Sequence, residues 1–415
     1  MHFSSNFFTK NRQGLFSKMR NNSIMILVSN NQYPKNGDQQ FAFRQQSDLY
    51  YLTGIKQEKT SLILSKTKEG EKREYIFILK PNPKLETWEG KKLDVSEAQS
   101  ISGIKNVFWD SDFEQSLNKN IQSDSLIYLL GEDAFAQKST LHLSHIALQK
   151  NIQKNFSSCI IKSPRSILNA LRLIKSEEEI TMLQQAVDIT KKAYQQVLKT
   201  VQSDIAEYEV EAEISYIFRK NGANGHAYDP IIATGLNACS LHYVKNNSYL
   251  KKGDLLLMDF GADYNYYSAD LSRTIPVDGI FSSRQKELYQ LVLDIQKKAI
   301  PLFVPGNTIN IVNEKVNILM TEALKSIGLL KKKDDLQKYY PHGVTHFLGI
   351  DVHDVGTKDT IFEEGMVLTC EPGLYVQEES IGIRIENDIV VGKEPKDLTK
   401  NIIREISEIE KYMNS

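Results

Sequence analysis

The pattern of apolar and polar positions changes about one third of the way along the chain. The first part holds short apolar runs separated by polar segments, which predicts strands that alternate with helices. The predicted strands cover 23–29, 61–65, 75–79 and 125–130. We therefore expect an α/β domain over residues 1–163.

Beyond Pro164 the apolar positions follow a helical period. Ser176 and Glu179 form a capping-box pattern, and the apolar residues after them recur at helical spacing, so a long helix is predicted to begin there. Further helices are predicted at 207–220, 283–300 and 309–327. Strand-like runs and glycine-containing turns lie between them, and we assign residues 164–415 to a second, catalytic domain.

A first predicted hairpin carries two aspartates. If its turn is centred between Tyr264 and Asn265, Asp259 lies directly opposite Asp270. Opposed Cβ atoms in an antiparallel pair are roughly 4.5–5.5 Å apart, so two ionised carboxylates there would repel each other. A divalent cation between them removes the conflict.

A second predicted hairpin repeats this arrangement with two glutamates. A turn centred between Glu378 and Glu379 places Glu371 opposite Glu386. Each glutamate lies next to or within an apolar run, where an unpaired buried charge costs several kcal/mol. The alternative is a pair of solvated strand faces with incidental acids, but two opposed pairs favour a metal site.

Histidines are concentrated near these carboxylates. Five of the eight lie in two short segments: His226, His242, His342, His346 and His353. The spacing of four between His342 and His346 fits one helical face, whereas the glycines at 343 and 349 fit a loop, and both remain open. Three histidines within twelve residues, flanked by glycines, indicate a site.

Composition narrows the function classes. Lys and Arg total 51 against 52 Asp and Glu, and this net charge of −1 offers no general attraction for nucleic acid or anionic membranes. No apolar run approaches the roughly 20 residues of a membrane-spanning helix. The three cysteines form neither a disulfide framework nor a zinc cage, and the amino terminus lacks a secretory apolar segment, so we expect a cytoplasmic protein.

Four motifs carry a resemblance to a known family. The segments MDFGADYNYYSADLSRT, PHGVTHFLGIDVHD, LTCEPGLY and GIRIENDIVV resemble the pita-bread metallopeptidases, which include aminopeptidase P, prolidase and methionine aminopeptidase. In the first domain, FAFRQQSDLYYLTGI and TWEGKKL resemble the amino-terminal domain of aminopeptidase P, which prolidase shares. The resemblance implies that this domain, residues 1–163, is non-catalytic. The implied fold is α+β, a carboxy-terminal pita-bread (creatinase/aminopeptidase) domain preceded by an α/β creatinase-like domain.

The resemblance also implies a metal centre. The family's five ligands correspond to Asp259, Asp270, His346, Glu371 and Glu386. Two divalent ions per subunit are expected, and their charge of +4 balances four carboxylates. Manganese is the implied metal, while zinc, cobalt and iron remain open. Two such ions share a water and hold it as hydroxide at neutral pH, which suits amide hydrolysis. Creatinase lacks these ligands, so the intact set argues against it.

Other site residues follow from the same resemblance. Glu371 is expected to shuttle a proton as well as bind metal, His353 to hydrogen-bond the developing oxyanion, and His242 to protonate or orient the leaving nitrogen. Tyr228, His342 and Arg384 are expected to bind substrate, although Tyr228 by itself would fit a core position.

The implied activity is that of an Xaa-Pro aminopeptidase acting on peptides with proline second. A prolidase restricted to Xaa-Pro dipeptides is the alternative, and a non-catalytic binding protein would be expected to have lost ligands. Tyr228, Tyr375 and Trp88 are candidate walls of a proline pocket. Trp88 belongs to the first domain, which suggests that a neighbouring subunit supplies it in a homo-oligomer, a dimer or tetramer.

Overall fold

The protein is described by a computed structural model. It covers residues 3–122, 124–130, 143–332 and 336–415. The chain divides into two compact units, Met1–Leu171 and Arg172–Ser415. The domain division predicted between residues 163 and 164 lies just before the helix that ends the first unit.

The first unit is built on a six-stranded mixed sheet. Its strands in the described residues are β1 (Ser23–Val28), β2 (Pro34–Asn36), β3 (Gln39–Gln40), β4 (Ser61–Lys66), β5 (Lys72–Ile78), β6 (Val107–Trp109), β7 (Leu126–Leu129) and β8 (Ile160–Lys162). Its helices are α1 (Ser5–Lys18), α2 (Ser47–Thr53), α3 (Pro83–Glu89), α4 (Val95–Ser102), α5 (Phe113–Asn120), α6 (Leu143–Asn155) and α7 (Arg165–Arg172). The large sheet has the order β6-β5-β4-β1-β7-β8, and β2 pairs with β3.

Apolar runs explain the position of this sheet. Strand β1 is the continuous run SIMILV and is buried along almost its whole length. A strand that is buried on both faces reads as such a run rather than as an alternation. Ile24, Ile26, Ile63 and Phe77 pack in one core cluster, so the α/β architecture expected for the first domain is confirmed.

The second unit combines long helices with short antiparallel strands. Its helices in the described residues are α8 (Glu177–Thr200), α9 (Glu207–Lys220), α10 (Ser283–Ala299), α11 (Ile309–Ser326), α12 (Leu336–Tyr339) and α13 (Ile406–Met413). Its strands are β9 (Gly225–His226), β10 (Ile231–Thr234), β11 (Leu255–Asp259), β12 (Ala262–Tyr264), β13 (Tyr267–Ser268), β14 (Ser272–Pro276), β15 (Val367–Cys370), β16 (Gly373–Val376), β17 (Ile381–Arg384), β18 (Asn387–Val390) and β19 (Lys396–Asp397). They form the sheets β10-β11-β14, β13-β12-β9, β15-β18-β19 and β16-β17.

Local sequence signals place the helices of this unit. The Ser176 side chain accepts the amide of Glu179, and the Glu179 carboxylate accepts the amide of Ser176, which is the predicted capping box at the start of α8. Helix α9 has the predicted bounds, and Gly222 follows it with a φ of +82°. A positive φ after a helix favours glycine.

The first hairpin has a different register from the predicted one. Asp259 lies opposite Ser272, not opposite Asp270, and Tyr264 lies opposite Tyr267. The turn is therefore centred between Asn265 and Tyr266, which both have positive φ, 50° and 71°. Two central residues with positive φ match the twist of the flanking strands. Asp270 lies two residues before Ser272, so its side chain is on the same face of the hairpin as that of Asp259. The two aspartates are therefore close although the predicted register is wrong.

The second hairpin has the predicted register. Cys370 lies opposite Asn387 in one strand pair, and Gly373 lies opposite Arg384 in the next. The amide of Ile385 donates to the carbonyl of Pro372 between these two pairs. The continuous register places Glu371 opposite Glu386, where both strand pairs are interrupted.

Candidate active site

Two aspartates meet through a tyrosine. Asp259 ends β11 and Asp270 precedes β14, and the hydroxyl of Tyr228 lies 2.6 Å from Asp259 Oδ1 and 2.5 Å from Asp270 Oδ1. A hydroxyl has one proton, so it donates to one carboxylate at a time. Asp270 is buried. This arrangement holds the two carboxylates side by side.

The two glutamates enter from the second hairpin. Ser272 Oγ donates to Glu386 Oε2 at 2.8 Å, and Thr369 Oγ1 donates to Glu371 Oε1 at 3.4 Å. Glu386 is buried. Both hairpins thus direct their acidic side chains to the same place.

His346 completes the cluster from a loop rather than a helix. Its Nε2 lies 3.3 Å from Asp270 Oδ2 and 3.6 Å from Glu371 Oε1. Its Nδ1 lies 3.1 Å from the carbonyl of Phe347, which fixes the ring orientation and leaves Nε2 directed at the acids. Ligand atoms of Asp270, His346 and Glu386 all lie within 4.8 Å of one another. This set of oxygen and imidazole donors fits divalent metal ions.

The charges in this cluster are unfavourable without cations. Burial, with contributions from Asp270 and Asp259, raises the pKa of Glu371 to about 7. Burial, followed by the neighbouring carboxylates, raises the pKa of Glu386 well above its ordinary value. Burial lowers the pKa of His346, but the hydrogen bond to Asp270 and the charge of Glu371 outweigh it and raise that pKa to about 9. In the absence of metal, protons take the place of positive charge.

Arg384 lies within this site but its guanidinium is already engaged. Its Nη2 donates to Asp259 Oδ2 at 2.6 Å, Nη1 to the hydroxyl of Tyr375 at 2.8 Å, and Nε to Ser272 Oγ at 2.7 Å. The residue is buried. The planar guanidinium of Arg384, held by three partners, orients Asp259. It has fewer N–H groups left to bind substrate.

A cavity of about 400 Å³ opens onto the cluster. The residues predicted to be catalytic, metal-binding or substrate-binding all line it: Tyr228, His242, Asp259, Asp270, His342, His346, His353, Glu371, Arg384 and Glu386. Tyr375 and Trp88, the other predicted walls of a proline pocket, are not among its lining residues. His342 Nε2 lies 2.8 Å from the Tyr375 hydroxyl. Burial and the charge of Arg384 lower the pKa of His342 to about 4, so this ring is neutral near pH 7. The rings of His346 and His353 are 4.4 Å apart between centroids and nearly perpendicular.

Some supporting residues escaped sequence reasoning. Ser272 binds both Glu386 and Arg384, and the correct hairpin register would have revealed it as the residue opposite Asp259. Asp388 is buried, and its Oδ2 accepts the amide of Asp270 at 3.2 Å. It lies two residues after Glu386, but a single acid in an apolar strand does not reveal its partner.

The fold and the site together define a metal-dependent peptidase, and comparisons with known proteins agree. Residues 181–393 match the model of metallopeptidase family M24, and residues 8–128 match that of the aminopeptidase P N-terminal domain. The chain belongs to metallopeptidase family M24, and the predicted family resemblance and enzyme class are confirmed.

Individual relatives are similar over almost their whole length. The chain is 37% identical to a Haemophilus influenzae Xaa-Pro aminopeptidase, covering 98% of this chain and 97% of that one, and 32% identical to the Escherichia coli Xaa-Pro aminopeptidase at the same coverage. A zinc-substituted E. coli aminopeptidase P structure with product superimposes with a TM-score of 0.91 at 31% identity, covering 100% of this chain and 99% of that one. The Yersinia pestis proline aminopeptidase P II gives 0.91 at 31% identity, covering 99% and 100%. The predicted α+β pita-bread fold with its amino-terminal domain is confirmed. In the part of the chain that the structure describes, no helix is both long and apolar enough to cross a membrane.

Proposed function

We propose that the protein is an Xaa-Pro aminopeptidase, which hydrolyses the first peptide bond of substrates with proline in the second position. The observation that carries the proposal is the convergence of four carboxylates and His346 on one cavity in a chain of the M24 family. The relatives named above that carry this activity match the chain from end to end.

Asp259, Asp270, His346, Glu371 and Glu386 hold two divalent ions, with manganese as the favoured metal. Four carboxylates and one imidazole form a hard, oxygen-rich donor set, and their charge of −4 balances two such ions. Without metal, the pKa values of Glu371 and Glu386 are raised, as expected for buried carboxylates whose positive partners are metal ions. When bound, the ions lower the pKa of water and polarise the scissile carbonyl.

Other residues of the cavity transfer protons, bind the oxyanion and position the substrate. Glu371 takes a proton from the attacking water and passes it to the leaving nitrogen. His353 lines the cavity beside His346 and donates to the developing oxyanion, and His242 orients or protonates the leaving nitrogen. Tyr228, His342 and Arg384 position the substrate. Tyr228 and Arg384 also orient Asp259 through their hydrogen bonds.

The preference for proline fits the cavity walls. An Xaa-Pro bond has no N–H and carries a rigid ring, so its pocket requires apolar contacts and no acceptor for that proton. Ile231, Leu241, Val244 and Val352 supply apolar lining.

Peptide hydrolysis in the presence of Mn²⁺ tests the activity. An Xaa-Pro-Yaa tripeptide, the matched Xaa-Pro dipeptide and the N-acetylated tripeptide are compared. We expect cleavage of the tripeptide that acetylation abolishes. Cleavage of the dipeptide alone would instead make the protein a prolidase, and no cleavage with metal bound would make it a binding protein.

Glu371→Gln tests the central role. The variant is expected to fold and to lose activity by roughly a thousandfold, because the amide neither shuttles a proton nor supplies the ligand charge. Glu364→Gln, at an exposed position, is the matched control and should retain full activity. Turnover near the wild-type rate in Glu371→Gln would refute the assignment.

We also propose a homo-oligomer, a dimer or tetramer, and a cytoplasmic location. Trp88 lies on α3, is 87% exposed, and α3 buries none of its own residues, which suits a contact with a second subunit. The three cysteines are free, as expected in a reducing compartment. Light scattering at micromolar concentration tests the first proposal, and a fully active monomer would exclude it. Cell fractionation tests the second, and elemental analysis of the protein as isolated identifies the metal.

A further inference from the structure

The loop after His346 carries a buried ion cluster that the proposed mechanism does not use. Asp354 Oδ1 accepts Arg172 Nη2 at 2.5 Å, and its Oδ2 accepts Lys175 Nζ at 3.0 Å. The side chains of Asp354 and Lys175 are each 1% exposed, and that of Arg172 is 4% exposed. Arg172 also pairs with Asp351 at 2.7 Å. We call these four residues the Asp354 cluster.

Backbone hydrogen bonds of Asp354 and Asp351 close the loop that holds both neighbouring histidines. The amide of Asp354 donates to the carbonyl of Phe347 at 2.9 Å, and the amide of Gly349 donates to the carbonyl of Asp351. Phe347 directly follows His346, and Asp354 directly follows His353. The two ends of this loop are therefore joined next to the two histidines.

The backbone at Ile174 and Lys175 is hydrogen-bonded to the segment that precedes β15. The amide of Lys175 donates to the carbonyl of Gly365, and Ile174 forms a β-bridge with Met366. The amide of Leu348 donates to the carbonyl of Val367, so the loop and the cations are attached to the same strand region. Glycine is required at 349, because a Cβ there would lie 2.1 Å from Asp354 Oδ2.

His353 depends on its backbone for its position. Within the described residues, it forms a ring contact with His346 and no hydrogen bond. Its side chain is at the cavity, whereas the next side chain along the chain is fully buried in the cluster. A change that releases the Asp354 side chain is therefore expected to shift the backbone that carries His353.

We propose that Asp354 is a positioning residue that, through Arg172 and Lys175, sets His353 opposite His346 for the hydrolytic step. This inference rests on the proposed function, because it assigns Asp354 to the control of the oxyanion donor. Misplacement of a catalytic group by about 1 Å costs on the order of a hundredfold in rate.

A double-mutant cycle between Asp354 and His353 tests the proposal with Mn²⁺ and an Xaa-Pro-Yaa tripeptide. Asp354→Asn should lower kcat by about 10- to 100-fold and change KM by less than about threefold. His353→Ala should lower kcat by about a hundredfold or more. Because Asp354 acts through His353, the double variant should be no slower than His353→Ala alone. Multiplicative losses would assign Asp354 a merely structural role and overturn the proposal.

Two further variants separate the proposed effect from a loss of folding. Asp354→Asn leaves a buried lysine short of its counter-charge, so the same cycle is run with Lys175→Met/Asp354→Asn if the single variant unfolds. Glu74→Gln, which removes the partner of buried Arg12 in the first unit, is the control and should keep kcat.

A crystal structure of metal-free Asp354→Asn should show the His346–His353 centroid distance changed from 4.4 Å. An unchanged distance would overturn the proposal. Absence of tripeptide cleavage by the wild-type protein would instead refute the proposed function.

Discussion

At the scale of single residues, the site is defined by hydrogen bonds that restrict each ligand to one orientation. Tyr228 lies between Asp259 and Asp270, and Arg384 holds Asp259 from the other side. The identities of the five proposed ligands were available from sequence motifs. Tyr228 and Arg384 were also expected at the site, but as substrate-binding residues. Their hydrogen bonds to Asp259 were not predictable, because Tyr228 is 31 residues from Asp259 and Arg384 is 125 residues away.

Replacement of Arg384 by lysine tests the need for a planar fork. Lysine keeps the charge, but its single ammonium group cannot reach all three hydrogen-bond partners of Arg384, which are Asp259, Tyr375 and Ser272. We expect a folded protein with activity lowered by about tenfold or more, measured as kcat/KM with Mn²⁺.

Arg284→Lys provides the control for that experiment. Arg284 makes a two-pronged contact with Glu379 at the surface, at 2.8 and 2.6 Å. Exposed pairs contribute roughly 1 kcal/mol or less, so this variant should retain its activity. Equal losses in the two variants would show that the charge network near Arg384 has no special role.

At the scale of elements, two hairpins bring four acids together, and the success of sequence reasoning differed between them. The glutamate hairpin has the predicted register. In the aspartate hairpin the turn is centred one residue later than predicted, so the strand partner of Asp259 is two residues later. The difference lies in the turn. Asn265 and Tyr266 both adopt positive φ, and tyrosine gives no advance sign of that conformation. Helix starts were more predictable, because the Ser176–Glu179 capping box is a local signal.

Gly261 is the position where the aspartate hairpin tolerates no side chain. A Cβ there would lie 1.7 Å from the carbonyl oxygen of Ala269, next to Asp270. Gly261→Ala should therefore displace Asp270, lower the melting temperature by several degrees and weaken Mn²⁺ binding by about tenfold or more. Gly14→Ala, in α1, meets only a leucine methyl at 3.1 Å and should be nearly neutral. Wild-type metal affinity in Gly261→Ala would contradict this reading of the hairpin.

At the scale of the whole molecule, the acidic cluster couples stability to pH and to metal. The folded pKa of Glu371 is raised from 4.5 to about 7, so the metal-free folded protein binds more protons than the unfolded chain in this window. Its free energy of unfolding therefore falls as pH rises from about 4.5 to 7. His346, raised from 6.5 to about 9, contributes stability that is present below pH 6.5 and lost as pH rises through about 9.

Thermal unfolding of chelator-treated protein checks this coupling. The melting temperature should fall between pH 5 and pH 8. Added Mn²⁺ should raise it more at pH 8 than at pH 5, because metal displaces the protons that stabilise the empty cluster at low pH. Equal metal-induced shifts at both pH values would show that these groups do not exchange protons for metal.

The glutamate hairpin extends past Glu371 and Glu386 to an exposed tip. The tip, Gln377–Glu379 and Ser380, is exposed and is followed by a strand that resumes the same register at Ile381. Chain length at the tip is therefore independent of the spacing between Glu371 and Glu386. Insertions at this tip can therefore change the outer surface of the hairpin while Glu371 stays opposite Glu386, so the length of the tip and the spacing of the two acids are free to evolve separately.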